Sequence, residues 1–269
     1  MDISRLLPGR SRKPVVAVIR LHGVIAASGG LGRSALSDSA TAPLIERAFA
    51  TKGLAAVALS INSPGGSPAQ SALIAARIRR LAEEKEVPVY AFCEDVAASG
   101  GYWLATAGDE IFADANSILG SIGVISASFG FHELLSRYGV ERRVHTAGED
   151  KSMLDPFRPE REEDVVRLKA LQSDIHENFK EQVTSRRGAK LADKDLFTGE
   201  IWVGRRAQEV GLIDGIGHLV PKMKEIFGDK VRFRVAAPRR PLLARLGAPG
   251  VGDIAAALEE RALWARWGL

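Results

Sequence analysis

Three continuous apolar runs, each separated from the next by a helical pattern, organise the first hundred positions of the chain. Val15–Leu21 (VVAVIRL), Leu54–Ile61 (LAAVALSI) and Pro88–Cys93 lack the polar alternation of a half-exposed strand. Short runs of this kind, rich in valine and isoleucine, suit strands buried on both faces. Between them the pattern turns helical, near 39–52 and again over 68–86, where Leu73, Ile74, Ile78 and Leu81 recur at helical spacing. Strand and helix in alternation predict parallel strands joined by crossover helices, an α/β fold.

Beyond Trp103 the segments shorten. The spacing predicts a helix ending near Ala107, short strands at Glu110–Ala113 and Ile122–Ser126, a helix near 129–138 and a strand near 140–145. A long polar helix fits 160–187, and helical signals return at 192–197, 204–210 and 217–227. Composition shifts near Pro238, where proline and arginine become frequent. The expected organisation is a mobile basic lead-in over 1–13, one α/β domain over 14–236, and a basic tail over 237–269. That tail includes a candidate helix from Asp253 to Trp267.

With 269 residues, 46% hydrophobic and 26% charged, the chain has the make-up of a globular protein with a sizeable core. The net charge of +4 is concentrated at the ends, in Arg5, Arg10, Arg12 and Lys13 and in Arg232, Arg234, Arg239, Arg240 and Arg245. Aromatic residues do not interleave with these basic positions, so no nucleic-acid surface is expected. No run approaches 18 apolar residues, and the start lacks the apolar core of a secretory signal. A cytoplasmic location follows as the expectation. The lone cysteine, Cys93, cannot form an intramolecular disulfide and reads as a small buried hydrophobe.

Candidate chemistry lies in two glycine-rich turns that follow successive strands. The first is Asn62-Ser63-Pro64-Gly65-Gly66-Ser67 and the second is Ala98-Ser99-Gly100-Gly101. Both emerge beyond the carboxyl ends of parallel strands, where ligands and reacting groups bind in such sheets. Gly65 and Gly66 allow close backbone approach. Ser99 stands just before a helix, with backbone donors from its own turn and the neighbouring one able to stabilise an anion. Both are equally readable as tight strand–helix turns without chemistry. The G-x-S-x-G elbow is missing, because Ala97 and Gly101 flank Ser99 at two residues' distance. His22, His132, His145, His176 and His218 lie in no telling motif. Metal-ligand spacings and the nucleotide-binding patterns G-x-G-x-x-G and G-x-x-x-x-G-K-[ST] are absent, so no metal or cofactor is expected.

Taken in order, Ser63-Pro64-Gly65-Gly66, Ala98-Ser99-Gly100-Gly101-Tyr102 and Leu119-Gly120-Ser121-Ile122-Gly123-Val124 resemble the signal peptide peptidase A family of bacterial Ser/Lys proteases. The likeness continues through Gly148-Glu149-Asp150-Lys151-Ser152 and Asp155-Pro156-Phe157 to Phe197-Thr198-Gly199 and Gly211-Leu212-Ile213-Asp214. The resemblance implies a ClpP/crotonase-like fold and hydrolysis of peptide bonds in extended apolar peptides. It makes Ser99 the nucleophile and Lys151 its general base, with Ser121 holding the lysine amine. The N–H groups of Gly66 and Gly100 would line the oxyanion hole. A lysine with an ordinary pKa near 10.4 is protonated at pH 7, so a base role asks for apolar surroundings. Val144, Met153, Leu154 and Phe157 are the candidates, with Glu149 and Asp150 turned to solvent. The family also implies a homo-oligomeric ring, for which the helix at 160–187 is the candidate interface.

Members of that family carry an N-terminal membrane anchor, and no such segment is read here. Peripheral contact with anionic lipid through the basic ends, Trp264 and Trp267 is one expectation; a packing or subunit-contact role for 253–267, whose apolar stripe Glu260 and Arg261 interrupt, is equally open. Three other readings compete. A crotonase-like acyl-CoA enzyme would use Glu94, Asp95 or Glu110 for proton transfer. An inactive scaffold would keep the fold alone. A Ser-His-Asp arrangement would draw on His132 or His145.

Overall fold

β1 (Val15–His22) and β2 (Leu54–Ser63) pair in parallel from Val15↔Leu54 to His22↔Asn62. β3 (Val89–Ala98) lies parallel on the other side of β2. These are the three apolar runs, and their central residues are buried on both faces of the sheet, as runs without alternation require. The structure, a computed structural model, describes residues 13–27, 35–148, 150–236, 261, 264, 265 and 267. The lead-in, most of the basic tail and the 253–267 helix expectation therefore lie largely outside the described residues.

The crossovers are α1 (Asp38–Phe49) and α2 (Pro68–Lys85). Each begins at a serine cap: the Ser37 hydroxyl accepts from the Ala40 N–H, and the Ser67 hydroxyl from the Gln70 N–H. Pro68 occupies the first helical turn of α2, where its missing N–H costs nothing. The two helices are tied by Arg77, which donates to both Asp38 oxygens at 2.8 and 2.7 Å. Ile45 and Phe49 of α1 and Ile74, Ile78 and Leu81 of α2 are buried, each burial being worth roughly 2 kcal/mol.

β3 divides its outer edge between two short strands. Its first half, Tyr90–Cys93, pairs with β4 (Glu110–Ala113), and its last residues, Val96–Ala98, pair with β5 (Ile118–Gly120). Between β3 and β4 the chain makes the short helix α3 (Gly100–Ala105). Later elements complete the sheet: β6 (Ile201–Val203) antiparallel to β5, α6 (Gly204–Glu209), β7 (Gly215–Ile216) beside β4, α7 (Leu219–Phe227), and β8 (Arg232–Ala236) parallel to β1. Among the described residues the order is β6-β5-β3-β2-β1-β8, with β4 and β7 off β3. Met223 of α7 closes one face, over Val16, Val18, Ala56, Ala58, Phe92 and Phe112. Phe92 stacks on Phe112 at 5.5 Å, and Tyr90 meets Phe227 edge-on.

The short elements depart from the pattern reading. The strand expected at Ile122–Ser126 lies earlier, at Ile118–Gly120, because Gly120 and Ser121 adopt φ of 92° and 51° and turn the chain out of the sheet. Residues 140–145 form no strand, since no partner edge lies beside them among the described residues. The helical signal at 192–197 gives way to turns, with Lys194 N–H on the Ala192 carbonyl and Phe197 N–H on the Asp195 carboxylate. β6, β7 and β8 escape a pattern reading because each is short and is held by an edge supplied from far along the chain.

The chain divides into two compact units, residues 1–122 with 182–269, and residues 123–181. The first holds the whole sheet. The second contains α4 (His132–Arg137) and most of α5 (Glu162–Arg187), the long helix expected at 160–187. Inside it Phe131 stacks on Phe157 at 5.6 Å, and Arg142 covers Phe157 while pairing with Asp155 at 3.0 Å. Among the described residues no helix is long and apolar enough to cross a membrane.

Candidate active site

The turn leaving β2 is fixed from two sides. The buried Ser63 hydroxyl accepts from the Gly65 N–H at 3.2 Å. On the other side, the Ile25 N–H donates to the Gly65 carbonyl at 2.9 Å, and the Ser67 N–H donates to the Ile25 carbonyl at 2.7 Å. Gly66 sits between those two bonds, and its own N–H has no partner among the described residues. Glycine is obligatory here. Gly66 has φ 138°, and a Cβ on it would stand 2.0 Å from the Ile25 carbonyl oxygen.

The turn leaving β3 comes against it. A Cβ on Gly65 would lie 2.8 Å from both the Gly100 nitrogen and the Ser99 Cβ. Ser99 itself has φ 53° and ψ −123°, a conformation that costs a non-glycine residue about 1–3 kcal/mol. The surroundings impose it. Its N–H donates to the Gly120 carbonyl at 2.8 Å, and its carbonyl accepts from Tyr102 and Trp103 N–H at 2.9 and 3.0 Å. Gly101 presses on Ser63, where an added Cβ would be 2.3 Å from the carbonyl oxygen. The fully buried Tyr102 donates its hydroxyl to the Leu212 carbonyl at 2.7 Å, pinning α3 from below. The partly exposed Ser99 hydroxyl makes no hydrogen bond among the described residues, and the Gly100 N–H is likewise unpartnered. Although the sequence lacks G-x-S-x-G, the backbone makes a strained strand–serine–helix turn of the same kind.

Ser99, Gly66 and Gly100 are thus brought together in the first unit. Ser121 directly follows Gly120, whose carbonyl holds Ser99, and its N–H donates to the Glu200 carbonyl at 2.8 Å. Lys151 belongs to the second unit, on an exposed turn where its N–H reaches the Gly148 carbonyl at 3.4 Å. Val144 and Phe157 are exposed and Met153 and Leu154 half-buried, so these residues do not enclose Lys151 in an apolar pocket. Asp150 is exposed and paired with Arg167, while Glu149 lies outside the described residues.

Two of the three competing acids are already engaged. Glu94 accepts from the Ser60 hydroxyl at 2.6 Å and Asp95 from the Asn62 amide at 2.6 Å. Burial pushes the Cys93 thiol up to about 12, which makes it an inert packing group. It also raises the Tyr102 phenol, leaving a neutral donor for Leu212. Sequence reading missed Ile25, whose backbone frames Gly66. An isoleucine in an apolar stretch gives no hint that its carbonyl and N–H serve a neighbouring turn.

The model of peptidase family S49 matches residues 81–226, a span that holds Ser99, Ser121 and Lys151. A Brucella melitensis protein named Na(+)/H(+) antiporter NhaA is 52% identical over 99% of this chain, which covers 39% of that protein. A provisionally named signal peptide peptidase SppA of Enterococcus faecium is 32% identical over 78% of the chain and 62% of its own length. The chloroplastic serine protease SPPA of Arabidopsis thaliana is 32% identical over 76% of the chain and 31% of its own length. The chain therefore spans less than two thirds of the length of each of these relatives.

Proposed function

This chain belongs to peptidase family S49, and from that premise we propose that it is a serine endopeptidase using Ser99 as nucleophile and Lys151 as general base. The fold is accordingly ClpP/crotonase-like, a parallel sheet with crossover helices. The observation that carries the reading is the Ser99 turn: a strained serine whose hydroxyl has no partner among the described residues, beside the Gly66 and Gly100 N–H groups, which have none there either. Strain of this kind persists where the surroundings over-determine it and marks functional turns.

In the proposed reaction the Ser99 oxygen attacks the scissile carbonyl as its proton passes to the Lys151 amine. The carbonyl oxygen becomes an oxyanion that accepts from Gly66 and Gly100 N–H. Collapse of the intermediate expels the amine fragment, which takes the proton from the Lys151 ammonium and leaves an acyl-serine. Water then attacks the ester as Lys151 takes its proton. Collapse of the second intermediate breaks the ester bond, the Ser99 oxygen leaving with the proton returned from the Lys151 ammonium, so that both groups are regenerated. Ser121 is the proposed partner of the lysine amine. The substrates are extended apolar peptides, signal-peptide-like or unfolded, in keeping with the names of the relatives. The family resemblance supports assembly into a homo-oligomeric ring, and the basic residues toward both ends of the sequence support peripheral contact with anionic lipid.

The test is cleavage of a fluorogenic apolar peptide by wild type, Ser99→Ala and Lys151→Ala, each checked for folding by circular dichroism. Loss of the nucleophile is expected to lower kcat about a thousandfold or more, and loss of the base at least about a hundredfold. Full activity of Lys151→Ala would overturn the dyad. Failure of the wild type to react with a serine-directed fluorophosphonate would overturn the protease reading altogether.

A further inference from the structure

Ser71, in the first turn of α2, is fully buried and takes no part in the mechanism above. Its hydroxyl donates to the Ser67 carbonyl at 2.9 Å, four residues back, in addition to the bond from its own N–H at 3.1 Å. A serine that bonds back in this way gains little for its helix. The position of the oxygen is more informative. A Cβ on Gly100 would stand 2.4 Å from the Ser71 oxygen, 3.2 Å from Ile25 Cδ1 and 3.4 Å from the Gly66 nitrogen. The Ser71 hydroxyl is therefore wedged between the two turns that carry the free N–H groups. On one side it holds Ser67, whose N–H is clamped on Ile25. On the other it abuts the α-carbon of Gly100.

We propose that Ser71 is a positioning residue, a strut that sets the spacing between the Gly66 and Gly100 N–H groups so that both point at one oxyanion. The inference rests on the protease reading and deepens it. Hydrogen-bond donors act on a developing charge only where their geometry is fixed in advance, and a shift of the order of 1 Å in such a site costs about a hundredfold. The Ser71 hydroxyl supplies that fixity from behind, without touching the substrate.

The experiment compares wild type, Ser71→Ala and Ser71→Thr for peptide hydrolysis, thermal melting and inhibition by a peptide aldehyde, whose serine adduct places its oxygen between the two donors. Removing the hydroxyl is expected to lower kcat about tenfold to a hundredfold, with KM within about twofold of wild type, the pattern of an interaction realised in the transition state. The aldehyde should weaken by a similar factor. Ser71→Thr, which keeps the hydroxyl, should stay within about fivefold of wild-type kcat, an allowance for a shift of the donors much smaller than 1 Å. Unchanged kcat in Ser71→Ala overturns the inference, as does a loss that follows the melting temperature without weakening the aldehyde. A threonine variant as slow as the alanine variant overturns it too. Labelling of Ser99 by a fluorophosphonate in the wild type separates the two levels. Labelled wild type with an unaffected Ser71→Ala removes this inference alone, whereas unlabelled wild type removes the protease reading and this inference with it.

Discussion

Added Cβ atoms show how little room the candidate site leaves. At Gly66 the atom would meet a backbone carbonyl at 2.0 Å, and at Gly101 another at 2.3 Å, neither of which can swing aside like the end of a flexible side chain. Gly66→Ala is expected to lower kcat about a hundredfold or more by displacing a backbone donor, measured on the fluorogenic peptide. Gly139 is the contrast. It too has positive φ, 63°, but an added Cβ would meet nothing within 4 Å. Gly139→Ala should cost about 1 kcal/mol of stability through backbone strain alone and leave hydrolysis unchanged. The same distinction explains what a sequence can say about these residues. Paired glycines after a strand announce a special turn, but not which of them faces a carbonyl and which faces open space. Ser99 carries no mark of its left-handed backbone, since the flanking pattern of the familiar elbow is absent.

α3 shows how an element can be legible while its support is not. Six residues are too few for a helix to stand alone, so α3 depends on what it rests on. Tyr102 supplies one anchor through its hydroxyl on the Leu212 carbonyl. Tyr102→Phe would leave that buried carbonyl without the donor, at a cost of about 1–2 kcal/mol. For a chain of this size that corresponds to a melting point lower by roughly 2–8 °C, readable by calorimetry. The long elements were plain from pattern: β1, β2, β3, α2 and α5 lie close to where apolar runs and helical spacing put them. The short ones were not. β8 gives no strand signal in sequence, where Arg232 and Arg234 belong to the basic residues gathered toward the end of the chain, yet it pairs with β1 from Val15↔Arg232 to Ile19↔Ala236. An edge strand needs only one apolar side and can keep arginines on the other.

Across the whole first unit, the late part of the chain is locked to the sheet by charge. Arg187, nearly inaccessible at 4% exposure, donates to the Gly211 carbonyl at 2.9 and 2.8 Å and to Asp214 at 2.7 Å. Asp214 also accepts from Lys190 at 2.7 Å and from the Ile111 N–H at 2.8 Å. Burial alone would raise the Asp214 pKa, but the hydrogen bonds from Arg187, Lys190 and Ile111 outweigh it and hold the carboxyl below its ordinary value. Asp38 is held low as well, chiefly by its hydrogen bonds from Arg77 against the opposing effect of burial. A carboxyl depressed in the folded state stabilises above its unfolded pKa, and that contribution is lost as pH falls through the folded value. Stability should therefore be level from neutrality down to about pH 4 and fall below it, as followed by denaturant titration at several pH values. Arg187→Met, which takes two donors from the Gly211 carbonyl and leaves Asp214 only Lys190 and the Ile111 N–H, should cost about 3 kcal/mol at pH 7.

The residues proposed for chemistry rest on the family resemblance, whereas the sequence by itself determined the parallel α/β sheet, the crossover helices and the two glycine turns. Each of these is written in local pattern: strands buried on both faces must be apolar throughout, and turns with positive φ call for glycine. The tertiary structure alone decided that Ser99 takes a strained backbone, that Ile25 clamps the turn around Gly66 and that Ser71 is wedged against Gly100. It also decided that Val144 and Phe157, apolar in sequence, stand exposed. These outcomes depend on which carbonyl, hydroxyl or hydrocarbon arrives opposite a given residue from tens of positions away. No local pattern encodes that, because the hydrogen bonds and contacts concerned form only once the sheet register and the packing of α2 on it are set.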